Sequence, residues 1–115
     1  MKKILVTGGA GFIGSNLIES LLEKNYQVVC LDNLSTGSKN NIEPFLKHKN
    51  FEFVEGDILN MELLLKLSEG AFAVSHQAAL GSVPRSINDP ITSNRVNIEG
   101  TLNVFKACVD NKIDR

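Results

Sequence analysis

Thr7-Gly8-Gly9-Ala10-Gly11-Phe12-Ile13-Gly14 joins two segments of different periodicity. Ahead of it, Lys3 to Thr7 is a short apolar run with β-branched residues, which reads as a buried strand. Behind it, Ile13, Leu17, Leu21 and Ile18, Leu22 fall on one side of a helix ending near Asn25. A glycine turn between strand and helix places backbone amides where they can face an anion. Gly8 permits a tight turn, Gly11 lets the backbone approach a pyrophosphate, and Gly14 lets the helix pack close to the sheet. An ordinary strand-to-helix turn would also use glycine. The context favours a dinucleotide, because the turn opens an amphipathic helix and is answered by an acidic residue downstream.

That acidic residue is Asp32, which ends a second buried strand starting at Gln27. It lies at about the ~20-residue spacing at which a carboxylate meets the adenosine ribose. Its charge accepts ribose hydroxyls and repels a 2′-phosphate, so NAD is favoured over NADP. The alternative is a solvated carboxylate at a strand end. Asp32-Asn33-Leu34-Ser35-Thr36-Gly37 is polar and reads as a loop.

Further along, Phe51 to Val54 is a third strand, followed by Glu55-Gly56-Asp57. Asn60 or its neighbour can cap a helix through Met61, Leu64 and Leu67 that stops at Gly70. Ala71 to His76 reads as a fourth strand, and Gly81 to Pro90 as a loop. A long helix is expected after Asp89-Pro90, with Ile91, Ile98, Leu102, Phe105 and Val109 on one face. Strands alternating with helices predict an α/β fold of the Rossmann type: a doubly wound parallel sheet in the order 3-2-1-4. The ligand crevice is expected where the order reverses, between strands 1 and 4. The sheet is expected to be incomplete, because Arg115 stands where a fifth strand should start.

Composition agrees with one globular domain. The 115 residues are 43% hydrophobic and 22% charged, with a net charge of −1. Nothing in that balance favours nucleic acid or an anionic membrane as partner. The apolar runs are too short to span a bilayer, and the first meets Gly8-Gly9 too soon for a signal peptide. Cys30 and Cys108 lack metal-ligand or C-x-x-C spacing, so they read as reduced, buried small hydrophobes in a cytoplasmic protein. His48 sits in Lys47-His48-Lys49 and reads as a surface residue; His76 reads as structural rather than acid-base. No metal site is expected.

The spacing Thr-Gly-x-x-Gly-x-x-Gly resembles the extended short-chain dehydrogenase/reductase family. By that resemblance Phe12 and Ile13 join the glycines at the cofactor, and Asn33, Ser35, Thr36 and Gly37 add contacts around the adenosine ribose. Gly56-Asp57-Ile58 resembles the segment that meets the adenine, and His76-Gln77-Ala78-Ala79 the segment passing beneath the cofactor. Gln77 to Pro90 is similar to the corresponding loop of bacterial UDP-N-acetylglucosamine 4-epimerases of surface-polysaccharide biosynthesis. There Gly81 and Ser82 would make room for, and hydrogen-bond, a sugar, while Arg85 has no settled role. Asn94 and Asn97 match the helix that follows, Asn97 as a side chain that fixes the loop.

The resemblance covers essentially all of the chain but about the first third of a full-length enzyme. It implies a parent isomerase acting on a UDP-hexosamine through a Tyr-x-x-x-Lys pair. Here Tyr26 is the one tyrosine and Cys30 stands four residues on, so no such pair is present. The expectation is therefore the N-terminal part of an NAD-binding domain, inactive alone and prone to self-association through the exposed edge of strand 4. A nucleotide-sugar dehydratase or decarboxylase is an alternative, as is a dinucleotide-binding module without catalysis.

Overall fold

The computed structural model describes residues 1–79 and 87–115. Four parallel strands, β1 (Lys3–Thr7), β2 (Gln27–Asp32), β3 (Phe51–Glu55) and β4 (Ala73–His76), form one sheet in the order β3-β2-β1-β4. The alternation along each strand builds two cores. Ile4, Val6, Val28 and Cys30 point to one face and meet Ile18 and Leu22 of α1 (Phe12–Glu23). Leu5, Val29 and Leu31 point to the other and meet Leu64 and Leu67 of α2 (Met61–Ser68). Both faces are thus covered, as a parallel sheet requires. Each fully buried leucine, such as Leu5, Leu31 or Leu64, adds about 2–3 kcal/mol by leaving water.

The expected elements form, with shifted ends. The Asn60 side chain accepts from the Leu63 amide at 3.2 Å and caps α2, and Gly70 follows with φ +74°. β4 begins at Ala73 rather than Ala71. The crossover from β2 to β3 contains two short 3₁₀ turns, Lys39–Asn41 and Glu43–Phe45, and buries Ile42 against α1's side of the sheet. Residues 80–86 lie outside the described residues, and with them Gly81, Ser82 and Arg85. Ile87 and Asn88, expected in a loop, are helical.

The expected long C-terminal helix forms as one continuous helical run with a π-helical turn inside it: α3 (Pro90–Asn94), a π-helical segment (Arg95–Gly100) and α4 (Thr101–Asp110). Moreover Ile91, Ile98, Leu102, Phe105 and Val109 do share a face, but it is the outer one, each being at least 60% exposed. The side turned inward is built of smaller groups, Ser93, Gly100, Val104 and Ala107, which allow close approach to the sheet and α2. Two asparagines fasten it: Asn103 Nδ2 donates to the Ile58 carbonyl at 3.1 Å, and Asn111 Nδ2 to the Leu65 carbonyl at 2.9 Å. Ile13 is likewise exposed, leaving Ile18 and Leu22 as the buried ridge of α1.

At the outer edge of the sheet β4 is half-buried, whereas β1 is almost wholly buried. The Val74 amide donates to the Arg115 carbonyl at 2.9 Å, so the last residue lies beside β4 where a fifth strand was expected. Among the described residues, no helix is long and apolar enough to cross a membrane.

Candidate functional site

At the carboxyl ends of β1, β2 and β4 the strand order reverses, and a cleft opens there. Its floor is the glycine turn. Gly8 takes φ +71°, and its amide donates to the Leu31 carbonyl at 2.8 Å, which latches the turn to β2. Gly14 plays a different part from that expected. A Cβ there would lie 2.4 Å from the Gly8 carbonyl oxygen and 2.7 Å from Gly9 Cα, so α1 closes on the turn itself rather than on the sheet.

The first turn of α1 has no side-chain cap and no acidic residue. Its amides, unpaired within the helix by geometry, and the positive end of its dipole therefore suit an anion. Gly11 borders the cleft, and a Cβ there would meet only the Gly8 carbonyl oxygen, at 3.4 Å. The Phe12 and Ile13 side chains point to solvent at 80% and 69% exposure and do not line the cleft. Only their backbone amides can serve a ligand.

Among the described residues, Asp32 is the one acidic side chain buried at the cleft, at 9% exposure. Oδ2 accepts from the Ala10 amide at 2.9 Å and Oδ1 from the Leu34 amide at 2.7 Å. A carboxylate offers about four acceptor positions, so two remain for a ligand's hydroxyls. Leu34 holds φ +61°, a conformation uncommon outside glycine, and its bond to Asp32 helps maintain it. The loop then carries Asn33, Ser35, Thr36 and Gly37 along one side of the cleft. Asn33 Nδ2 donates to Asp57 Oδ2 at 3.3 Å, while Asp57 Oδ1 accepts from the Leu59 amide at 2.9 Å. Asp57 and Ile58 form the far wall.

Gln77, Ala78 and Ala79 leave β4 along the opposite side. The structure also brings Leu31, Gly56 and Val96 to the cleft, none of which was given a role of its own from sequence. Gly56 stood inside the quoted Gly56-Asp57-Ile58 segment, so a signal existed for it. Val96 carried none, because it arrives on the π-helical segment.

His76 ends β4 beside this cleft, hydrogen-bonded to Thr7 and Thr101, and burial lowers its pKa. Cys30 lies beneath the glycine turn, its thiol pushed up to about 12 by burial, with the Asp32 carboxylate adding to the rise. Burial also raises Cys108. A thiol so shifted stays protonated at neutral pH and is a poor nucleophile. His48 is exposed. Among the described residues, no group of three His, Cys, Asp or Glu side chains could hold a metal ion.

Residues 4–115 match the family described as the NAD dependent epimerase/dehydratase family. The chain is 42% identical over 106 residues to a UDP-glucose 4-epimerase of Mycolicibacterium smegmatis, covering 91% of this chain and 34% of that protein. Among solved structures it is similar to the UDP-N-acetylglucosamine 4-epimerase from Methanobrevibacter ruminantium M1 in complex with UDP-N-acetylmuramic acid. That match has a TM-score of 0.89 and 38% identity, over 97% of this chain and 35% of the other. DesIV, a dTDP-glucose 4,6-dehydratase from Streptomyces venezuelae with NAD and TYD bound, matches with a TM-score of 0.90 and 36% identity, over 96% and 37%. The chain thus spans about a third of the length of the proteins it matches.

Proposed function

This chain belongs to the NAD dependent epimerase/dehydratase family, and on that premise we propose that it forms the NAD-binding part of a UDP-N-acetylglucosamine/UDP-N-acetylgalactosamine 4-epimerase. One observation carries the cofactor reading: the glycine turn and the buried Asp32 border a single cleft at the switch point of the sheet. In this reading the amides of the first turn of α1 hold the pyrophosphate, with Gly8 and Gly11 keeping the approach clear. Asp32, with Asn33, Ser35, Thr36 and Gly37, holds the adenosine ribose; Asp57 and Ile58 hold the adenine. Gln77, Ala78 and Ala79 support the nicotinamide end. Bound NAD would supply reversible hydride transfer at the sugar.

Gly81 and Ser82 are proposed for the UDP-sugar on the strength of the loop's resemblance alone. The likeness to DesIV supports the second reading, a nucleotide-sugar dehydratase, which would use the same cofactor site. A cytoplasmic setting belongs to the same proposal.

Calorimetric titration of the chain tests it. Saturable NAD binding is expected, with NADP at least about tenfold weaker because the Asp32 carboxylate would face a 2′-phosphate. Equal binding of both, or none by a folded chain, removes the assignment. Self-association of the 115-residue chain through the outer edge of β4 is also proposed, supported by the half-buried state of that strand. Sedimentation velocity should show a concentration-dependent dimer; a monomer at every concentration would refute it.

A further inference from the structure

Thr7, the last residue of β1, is fully buried. Its hydroxyl oxygen accepts from the amides of Gln77 at 3.1 Å and Ala78 at 3.3 Å. Those two bonds use the lone pairs of Oγ1, so its single proton must go elsewhere. His76 Nδ1 lies 2.6 Å away and receives it. A nitrogen that accepts carries no proton, so the neutral ring holds its proton on Nε2. That nitrogen is 2.9 Å from Thr101 Oγ1, and it donates. The Thr101 hydroxyl then donates to the Asn97 carbonyl at 2.8 Å. The Gln77 amide is shared with the Thr7 backbone carbonyl at 2.9 Å; from Thr7 onward each donor has one acceptor, and the direction is the same throughout.

The run connects three elements that border the cleft. Gln77 and Ala78 line it directly, and Asn97 adjoins Val96, the residue of the π-helical segment that lines it. Single π turns re-aim side chains relative to a regular helix. We propose that His76 is a positioning residue of the cofactor cleft: as a neutral ring protonated on Nε2 alone, it ties the ends of β1 and β4 to the π-helical segment and so sets where Gln77, Ala78 and Val96 stand. The cofactor clause rests on the NAD reading above.

A second proton would go to Nδ1 and turn it into a donor. It would then face a hydroxyl whose acceptor positions are taken, so the Thr7 hydroxyl must give up the Ala78 amide or its share of the Gln77 amide, which keeps its bond to the Thr7 carbonyl. The surroundings oppose that proton. Among the described residues, the ring's hydrogen-bond partners are uncharged, Thr7 from β1 and Thr101 from α4, and burial lowers its pKa. On the helical side, Arg95 and Glu99 pair with each other at 3.7 Å, and Lys106 with Asp110 at 2.6 Å, at the surface. On the far side of β1, the Asp32 carboxylate is engaged by two backbone amides. Because the folded pKa lies below the ordinary 6.5, stability is intact above that value. It declines as pH falls below it, until the folded ring also takes up its proton.

Nitrogen-15 spectra of the imidazole and NAD titrations from pH 8 to pH 5 test the proposal on the intact chain. At pH 8, Nδ1 should be bare and Nε2 protonated, and the Gln77 and Ala78 amide signals should move together with the ring's titration. NAD affinity should fall by up to about tenfold per pH unit below the ring's pKa. His76→Ala should weaken NAD by about tenfold at pH 8 and flatten the pH profile. His76→Asn, which restores an acceptor for Thr7 without titrating, should recover most of that loss and stay flat. A ring protonated on Nδ1 at pH 8, amides that ignore its titration, or an unchanged pH profile in His76→Ala would each overturn the proposal. A folded chain that does not bind NAD at pH 8 fells the cofactor reading, while the spectra still decide the hydrogen-bond run by themselves.

Discussion

Gly8→Ala is expected to destabilise the chain by about 3 kcal/mol or more and to abolish NAD binding. Two terms add. At φ +71° a Cβ costs about 1–2 kcal/mol through its own carbonyl oxygen. In addition that Cβ would lie 2.6 Å from the Ala78 nitrogen and 2.7 Å from Ala78 Cα and the Gln77 carbonyl carbon. These are backbone atoms, so no rotamer change relieves the overlap, and β1 and β4 must part. Forced overpacking of that kind costs about 1–3 kcal/mol more. Gly70→Ala separates the terms, since Gly70 has φ +74° but nothing within 4 Å of a Cβ. It should lose only the conformational share, about 1–2 kcal/mol. Urea unfolding of the two variants measures the difference; equal midpoints would show that the contact with Ala78 is without consequence.

Asp32→Ala is expected to weaken NAD by at least about a hundredfold. A charged acceptor contributes about 1.5–3 kcal/mol per hydrogen bond, and two ribose hydroxyls are at stake. The same substitution strands the amides of Ala10 and Leu34, and Ala10 is fully buried. A buried donor left without a partner costs about 1–3 kcal/mol, so stability should fall as well. Calorimetry beside urea unfolding distinguishes the two losses. Asp32→Asn keeps an acceptor but not the charge, so it should recover part of the stability and little of the preference for NAD over NADP. A variant that unfolds like the parent and binds NAD equally well would end the assignment of Asp32.

The legible part of the fold is the part governed by short-range rules. Alternation in Ile4-Leu5-Val6 and Val28-Val29-Cys30-Leu31 marks strands buried on both faces, and Asn60 and Gly70 mark the ends of α2, because these effects act within a few residues. The C-terminal helix was read less well. Its stripe from Ile91 to Val109 has the period of a core face, but periodicity says that residues share a side and not which side is covered. Gly100 and Ala107 face inward because small residues permit close packing, a signal that hydrophobicity does not weigh. The π-helical segment that delivers Val96 is joined to β4 through Thr101 and His76, a contact between residues more than twenty positions apart. Phe12 and Ile13 follow the glycine turn, but their side chains point to solvent and do not line the cleft.

The two bonds that hold Asp32 bear on how association should look thermodynamically. Ala10 and Leu34 fix both carboxylate oxygens before any ligand arrives, and the strained backbone at Leu34 is settled during folding. The Asp32 carboxylate is therefore preorganised, and its rotamer entropy is surrendered once, when the chain folds, rather than at each binding event. On the proposed reading, recognition of the adenosine side would be a docking to a rigid template, whose selectivity resides in shape and charge already in place.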